Sequence, residues 1–205
     1  SSNGVAGFIL ANGALSADGA EGAIRQKMIE RGLVEAIVIL PRNLFYSTDI
    51  SVTLWILNAN KKARVVNRNG EEIHYRDREK EILFMDMRQM GKPFEKKYVR
   101  FTDEDIRKVA DTYHNWQREG HTETYADVPE FCKSVSVDEE GRIADKGFSL
   151  VPSKYIEFVN CDEAVDYDTR MKELQTELAD ILRQEAESRE AVLNVFKSLG
   201  YEIKL

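Results

Sequence analysis

Three apolar runs near the start of the chain constrain its fold more than any other feature. The first run, Gly7–Ala11, is separated from the second, Val34–Leu40, by a segment with helical spacing from Glu21 to Arg31. The third run, Ile50–Leu57, begins only nine residues after the second one ends. Because a parallel return needs a longer crossover connection, the third strand is predicted to pair antiparallel to a neighbour.

The helix between the first two runs is predicted to be amphipathic and to end at Gly32. Its apolar side chains share one face: Ile24, Met28 and Ile29. Its charged side chains are expected in solvent: Arg25, Lys27 and Glu30. The run EAIVILP that follows is apolar without alternation, which indicates a strand covered on both faces.

The composition favours a soluble chain with a real core. Hydrophobic residues make up 42% of the sequence, charged residues 32%, and the net charge is −7. No run of eighteen apolar residues and no signal peptide occur, so no membrane span and a cytoplasmic location are expected. Cys132 and Cys161 lie far apart and suggest no metal or redox framework. The acidic balance argues against unspecific coating of nucleic acid, although a DNA enzyme with a DNA-binding partner remains compatible.

Further elements are marked by turn and capping signals. An excursion over 61–80 contains Asn69-Gly70 between two short β-like runs, which predicts a hairpin. Residues 82–86 are predicted to form a strand. Thr102 and Asp105 form a capping-box pattern that starts a helix reaching Arg118. A strand is expected at 132–137, with a turn at 140–141.

The last segment, 162–199, predicts a long helix with an apolar stripe. Six residues form that stripe at 3-4 spacing: Leu174, Leu178, Ile181, Val192, Val195 and Leu199. Such a stripe seeks another helix, so docking onto a partner is one interpretation. The alternative is that the helix folds back on its own domain.

Four segments together carry a resemblance to a known family. They are GFILANGALS (7–16), LPRNLFYSTDISVTLWIL (40–57), ILFMDMRQMGK (82–92) and FTDEDIRKVADTYHNWQ (101–117). The chain resembles the modification (M) subunit of type I restriction–modification systems, an adenine-N6 DNA methyltransferase, over residues 5–160. The expected fold class is α/β: the C-terminal part of a Rossmann-like S-adenosylmethionine-dependent methyltransferase sheet, its final strand antiparallel, followed by a mainly helical tail.

The resemblance implies a base-binding role for the loop between the second and third runs. In this family an extruded adenine stacks on an aromatic side chain of that loop. Phe45 occupies the corresponding place, with Tyr46 as the next candidate. The alternative is that both rings fold back on the core. Asn12, at the end of the first run, is expected to form a helix-entry turn rather than to take part in the active site.

Other charged residues allow weaker interpretations. Lys61, Lys62 and Arg64 could contact DNA phosphates, although a solvated hairpin is the favoured interpretation. Glu95 and Lys97 form a Glu-x-Lys pattern after Asp86, which resembles the metal-binding core of restriction-type nucleases. Such a pattern arises often by chance in a chain this charged, and the three histidines share no ligand-like spacing. No metal site is therefore expected.

Two motifs of the family are missing from the sequence. No glycine cluster for the cofactor and no Asn-Pro-Pro-aromatic motif for catalysis occur. In the family both lie upstream of the matched region, so the chain is expected to be a C-terminal fragment. It is expected to be inactive and to bind no S-adenosylmethionine by itself, whereas the full-length enzyme would use that cofactor.

The expected division of the chain has three parts: 1–100 as the methyltransferase portion with the hairpin excursion, 101–160 as a helix with loops, and 161–205 as the docking tail. The resemblance implies a specificity (S) subunit, a restriction (R) subunit and DNA as partners. An unpaired edge of the first strand also predicts that the fragment self-associates, or covers that edge with its own residues. The alternative function is a non-catalytic interaction module with a docking helix.

Overall fold

Five strands form the central sheet, and its spatial order differs from the chain order. In sequence they are β1 (Val5–Ala11), β2 (Val34–Ile39), β3 (Val52–Asn58), β6 (Glu81–Asp86) and β9 (Cys132–Ser136). Their order across the sheet is β1-β3-β2-β6-β9. This computed structural model describes residues 1–138, 142–158 and 167–201. Contacts divide the chain into two compact units, Ser1–Val159 and Asn160–Leu205.

The predicted antiparallel return is confirmed. β3 pairs antiparallel with β2, in a register that places Trp55 opposite Ile37, and its other edge pairs antiparallel with β1. β2 and β6 form the one parallel pair of the four pairings in the sheet, and β9 is antiparallel to β6. The fold is therefore mixed α/β with a mainly antiparallel sheet, because β3 returns into the space between β1 and β2.

The two faces of the sheet carry separate apolar clusters. Side chains alternate along a strand, so neighbouring residues of β2 and β6 enter opposite clusters. One cluster contains Ile37, Ile82 and Phe84. The other contains Ala36, Val38, Leu83 and Met85. Helix α1 (Gly19–Glu30) adds Ile29 to the first cluster, and helix α2 (Asp103–Gln117) adds Trp116 to the second.

The predicted face of α1 is partly wrong. Arg25, expected in solvent, is buried, whereas Ile24 is 61% exposed. The guanidinium of Arg25 donates hydrogen bonds to three carbonyl oxygens, at 2.8 Å to Phe148, 2.8 Å to Ala17 and 3.1 Å to Ala14. These acceptors come from segments that the helix covers, so the polar side chain turns inward. Ile29 is buried as predicted.

Two hairpins extend from the sheet. β4 (Arg64–Arg68) and β5 (Glu71–Tyr75) are joined by Asn69-Gly70, as predicted. Both turn residues have left-handed φ angles, 56° and 87°, which suit a two-residue hairpin. The second hairpin, β7 (Lys92–Phe94) with β8 (Tyr98–Arg100), was not predicted. A side chain at Gly91, before β7, would meet Val99 at 2.5 Å, so glycine permits this close approach.

Helix α2 begins as its sequence predicts. The Asp105 N–H donates to Thr102 Oγ1 at 3.2 Å, and the Thr102 N–H donates to Asp105 Oδ2 at 2.8 Å. This capping box satisfies two backbone donors that the first helical turn leaves without partners. The pKa of Asp105 is lowered, chiefly by the backbone hydrogen bond from Thr102. A short helix, α3 (His121–Thr124), follows α2.

The second unit contains helix α4, which spans Tyr167–Ser198 and has 32 residues. It falls within the predicted helix, whose first residues lie outside the described part, as does the predicted turn at 140–141. The six predicted stripe residues are 44–64% exposed. Three intrahelical ion pairs involve Arg170, Arg183 and Arg189. Among the described residues, no helix is both long and apolar enough to span a membrane.

A buried carboxylate joins several elements of the first unit. Glu35 lies at a register shift between β2 and β3, and neither its side chain nor that of Arg78 is exposed. The Arg78 guanidinium donates from Nε to Glu35 Oε1 at 3.1 Å. Three further donors complete the shell: Gln117 at 2.9 Å, Asn58 at 2.6 Å and the Tyr113 hydroxyl at 3.2 Å.

Removing this carboxylate should destabilise the chain strongly. Glu35→Ala leaves the Arg78 guanidinium buried without its counter-charge, so we expect a loss of about 3–5 kcal/mol in the free energy of unfolding. Asp138→Ala, which breaks the exposed ion pair with Lys80, should cost less than about 1 kcal/mol. Urea unfolding followed by tryptophan fluorescence measures both.

A double variant separates pairing from burial in this experiment. Glu35→Leu combined with Arg78→Met removes both charges, and should recover much of the stability that Glu35→Ala loses. Equal losses for Glu35→Ala and Asp138→Ala would show that the buried pair does not hold the elements together.

Candidate nucleic-acid interface

The carboxyl ends of β1, β2 and β6 lie at one edge of the sheet, here termed the carboxyl edge. β1 and β2 run in the same direction because both are antiparallel to β3, and β6 is parallel to β2. Open α/β sheets bind ligands outside the carboxyl ends of their strands. The residues to assess therefore follow these strands: Asn12, the loop 41–51, and Asp86.

The loop 41–51 is held at both of its ends. The Leu40 N–H donates to Val52 O at 2.9 Å, and the Ser51 hydroxyl donates to Leu40 O at 2.6 Å. At the turn between them, the Thr48 N–H donates to Phe45 O at 3.4 Å. These bonds close the loop at its base and project its aromatic residues beyond the sheet.

The two candidate rings have different surroundings. Phe45 is half-buried and packs against the apolar cluster that contains Val38 and Met85. Tyr46 is 70% exposed, and its ring meets the Tyr98 ring edge-on, with centroids 4.7 Å apart and planes at 68°. Both rings thus lie on the carboxyl-edge loop, Phe45 supported from one side and Tyr46 facing outward.

The second hairpin, β7–β8, joins this loop. The Val99 N–H donates to Asn43 O at 3.0 Å, and the Lys97 ammonium contacts the Asp49 carboxylate at 2.9 Å. Sequence reasoning did not find this hairpin, although the segment KPFEKKYVR has short apolar stretches on either side of a charged turn. The available sequence signal was this pair of three-residue strands on either side of a charged turn.

Asn12 has a structural role, as expected. It starts a 3₁₀ turn, Asn12–Leu15, and its Oδ1 accepts a hydrogen bond from the Thr53 hydroxyl at 2.6 Å. Thr53 is buried on β3. This bond ties the end of β1 to its neighbour at the carboxyl edge.

The residues of the nuclease-like pattern are engaged in other contacts. Asp86 accepts hydrogen bonds from Arg88, the shortest from Nη2 at 2.6 Å, and Lys97 is paired with Asp49. Glu95 lies at the β7–β8 turn with a left-handed φ of 43°. Within the described ranges no group of three metal-ligating side chains occurs. The geometry thus gives no support to a metal-dependent nuclease.

The first residue proposed for phosphate contacts is excluded by the structure. Lys61 is only 2% exposed, and its ammonium donates to Val34 O at 2.7 Å and to Glu81 O at 2.6 Å. The ammonium group of Lys61 cannot reach a phosphate because it is buried and bound to these two carbonyl oxygens. Lys62 is exposed and lies 3.8 Å from Glu79, and the Arg64 guanidinium stacks over the Tyr75 ring at 5.2 Å.

The fold and the carboxyl edge define an α/β protein with an aromatic loop at the place where such sheets bind ligands. The N-6 DNA methylase family model matches residues 1–164. The chain therefore belongs to the N-6 DNA methylase family.

Curated relatives point to one branch of that family. The chain is 35% identical over 204 residues to the type I restriction enzyme HindI methylase subunit of Haemophilus influenzae, covering 98% of this chain and 41% of that protein. It is 31% identical over 199 residues to the MjaIX methylase subunit of Methanocaldococcus jannaschii, covering 97% of this chain and 33% of that protein. The chain thus spans well under half the length of these relatives.

A solved structure confirms the likeness of the fold. The methyltransferase subunit of a type I restriction–modification system from Streptococcus thermophilus superposes with a TM-score of 0.58 at 24% identity. The match covers 76% of this chain and 27% of that chain. At this identity the likeness speaks for the fold alone.

A glycine, Gly13, follows β1 at the carboxyl edge. S-adenosylmethionine sites of this fold class need a glycine turn that lets the backbone approach the ligand closely. Gly13 lies in the 3₁₀ turn Asn12–Leu15, and a side chain at that position would meet no atom within 4 Å. Gly13 therefore borders open space, and it lines a cavity of about 510 Å³ together with Phe8 and Ala14.

The burial of Lys61 predicts a pH dependence of stability. Burial lowers the pKa of Lys61 from its ordinary 10.5 to about 8, against the opposing effect of the Glu35 carboxylate. Between these two values the unfolded chain binds more protons than the folded one, so this group's contribution to stability rises with pH. Relative to Lys61→Met, the parent should gain up to about 1.4 kcal/mol per pH unit between pH 8 and 10.

Urea unfolding of both proteins at pH 8, 9 and 10 measures this difference. Lys62→Met, a change of the exposed neighbour, should keep a constant offset from the parent. Parallel pH curves for the parent and Lys61→Met would show that the lysine titrates normally in the folded state.

Proposed function

We propose that this chain is the C-terminal part of a type I modification subunit. The full-length protein would transfer a methyl group from S-adenosylmethionine to adenine N6 in DNA, at sequences chosen by a specificity subunit. The supporting observation is the aromatic loop at the carboxyl edge, in a chain 35% identical to a type I restriction enzyme methylase subunit. The order β1-β3-β2, with the middle strand antiparallel, agrees with the closing part of a Rossmann-like methyltransferase sheet.

In this proposal Phe45 stacks on the extruded adenine. Base flipping requires a flat apolar surface that replaces the stacking lost from the duplex. The half-buried ring of Phe45 packs against the core. Its side chain therefore loses little conformational entropy when a base binds. Tyr46, which is far more exposed, is the second candidate for the same role.

The cofactor and the catalytic motif are proposed to come from the rest of the full-length subunit. β1 is one of the two edge strands of the sheet, and Ile24 on the neighbouring helix is exposed. Unpaired strand edges recruit further strands. We infer that other strands of the full-length protein cover this edge, and that the 205-residue chain alone is inactive, binds no S-adenosylmethionine and self-associates through β1.

The partner surface is proposed to be helix α4. The helix carries five of the six exposed stripe residues, and Leu199 follows its end directly. These side chains lie at the spacing that packs against other helices. A specificity subunit is the proposed contact, and a restriction subunit would join the same complex. The alternative, a non-catalytic interaction module, is favoured by this exposed stripe alone and leaves the aromatic loop unexplained.

Phe45→Ala in the full-length subunit should lower DNA methylation about tenfold or more, because stacking contributes roughly 1–3 kcal/mol per base. Affinity for S-adenosylmethionine should stay unchanged. Phe45→Trp should retain activity, and Val65→Ala, on the distant exposed hairpin, serves as a matched control. Methyl transfer from labelled cofactor to unmethylated DNA is the measurement. A parental rate for Phe45→Ala, even with a lowered melting temperature, would make Phe45 a packing residue.

Leu178→Glu combined with Ile181→Glu should abolish assembly with the specificity subunit. Burying each aliphatic side chain stabilises a contact by roughly 1.5–3 kcal/mol, and a charge there reverses the effect. The control, Thr176→Glu with Arg183→Gln, makes the same change in net charge on the opposite face of α4. Co-purification and thermal unfolding are compared for both. Assembly by the first variant would remove the partner-helix proposal, and a lowered melting temperature instead would place the stripe on the chain's own body.

A further inference from the structure

The β7–β8 hairpin carries a concentration of positive charge on an acidic chain. Four cations lie within nine residues, Lys92, Lys96, Lys97 and Arg100, against the single acid Glu95, whereas the whole chain has a net charge of −7. Lys97 is neutralised by Asp49, and the guanidinium of Arg100 lies 5.7 Å from the centre of the Phe94 ring. Lys92 interacts with Asp105 at the start of α2. Lys96 and Arg100 therefore remain as the exposed cations of the hairpin that are available to an anionic ligand.

The backbone of this hairpin displays its charged tip. Glu95 and Lys96 both have left-handed φ angles, 43° and 37°. Residues other than glycine seldom adopt this conformation, and such strain is concentrated at functional positions. The consequence here is that Lys96 stands at the exposed end of the hairpin.

An aromatic groove lies beside these cations. It has a volume of about 510 Å³ and lies between the loop 41–51, β7–β8 and the start of α2. Its aromatic lining comprises Tyr46, Phe94, Tyr98 and Phe101. Arg100 also borders the groove. Cations next to exposed aromatic rings are the combination with which proteins hold single-stranded nucleic acid, because phosphates meet the charges and bases stack on the rings.

The groove lies next to Phe45, so the nucleotide nearest to it is one that flanks the extruded adenine. Tyr46, which lines the groove, is the immediate neighbour of Phe45 on the same loop. A base stacked on Phe45 therefore places the adjoining part of its own strand at the hairpin. An extruded adenine leaves its neighbours partly unstacked, so a flanking base gains from an aromatic surface at this place.

We propose that the β7–β8 hairpin and its groove bind the DNA strand that flanks the extruded adenine, with phosphates at Lys96 and Arg100 and a neighbouring base against Tyr98. This assignment rests on the proposed function of the full-length enzyme. It adds a second contact region beyond Phe45, one whose contribution depends on salt concentration.

Lys96→Gln with Arg100→Gln in the full-length subunit, assembled with its specificity subunit, tests the charges. The probe is a labelled duplex containing the sequence that the complex methylates, mapped from adenine methylation in the host genome. Fluorescence anisotropy at 50–200 mM salt should show affinity reduced about tenfold at the low-salt end. The slope of log K against log salt should fall by about 2, because two phosphate contacts are lost.

Two further variants separate charge from stacking. Tyr98→Ser should weaken binding about fivefold without changing the salt slope, because a base contact releases no counterions. Lys27→Gln with Lys80→Gln removes two cations elsewhere on the same unit and should leave both affinity and slope unchanged. If the double hairpin variant fails to fold, Lys96→Gln alone decides, with an expected slope change of about 1.

An unchanged slope in the hairpin variant overturns the proposal, and so does an equal change in the Lys27 and Lys80 control. Loss of assembly with the specificity subunit would also overturn it, because the hairpin would then be a protein contact. Phe45→Ala distinguishes this proposal from the proposed function. If Phe45→Ala abolishes methylation while the hairpin variant binds DNA normally, only the hairpin site is contradicted. If Phe45→Ala methylates DNA at the parental rate, the proposed stacking of the adenine on Phe45 is contradicted.

Discussion

The buried ion pair between Glu35 and Arg78 is the constraint on which the first unit depends. A carboxylate removed from water needs hydrogen-bond donors in place of its hydration, and four side chains supply them. These donors come from β3, from the segment before β6 and from α2. Satisfying one charge therefore fixes three separate segments against β2. The register shift in the β2–β3 ladder at Glu35 allows that side chain to enter the core.

Positioning of the candidate interface follows from this arrangement. Helix α2 is anchored near its end by Gln117 and Tyr113, and its start borders the aromatic groove through Ile106. The loop 41–51 is closed where β2 ends and β3 begins, so it is carried by the most buried part of the sheet. The exposed aromatic and basic side chains of the interface are thus attached to buried parts of the sheet and of α2. A site built in this way keeps its geometry while the exposed side chains adapt to a ligand.

Charge is distributed unevenly over the described part of the chain. The chain is acidic overall. Three intrahelical ion pairs lie along α4, and one of them, Arg189–Glu185, lies between the two halves of its apolar stripe. Positive charge is gathered at the β7–β8 hairpin beside the aromatic loop. The proposed function, with DNA at one edge and other proteins along a helix, would need such separation, because uniform positive charge would attract DNA to the other surfaces.

Local features of this fold were determined by the sequence alone. The short connection before Ile50 dictated an antiparallel return, Asn69-Gly70 dictated a hairpin, and Thr102 with Asp105 dictated a helix start. Each depends on neighbours within a few residues, whose φ and ψ preferences and hydrogen bonds are readable from residue types. Even the candidate loop could be located, because it lies between two recognisable strands.

Tertiary structure decided what depended on distant partners. Arg25 and Lys61 look like solvated residues in the sequence, yet carbonyl oxygens from remote segments draw both inward. The insertion of β3 between β1 and β2, and the meeting of Tyr46 with Tyr98, likewise depend on where the chain returns. The burial of a charge is settled by acceptors far along the chain, whereas a turn or a helix cap is settled by its immediate neighbours. For that physical reason the sequence determined most of the elements, whereas only the folded structure brought the loop 41–51, the β7–β8 hairpin and the start of α2 together.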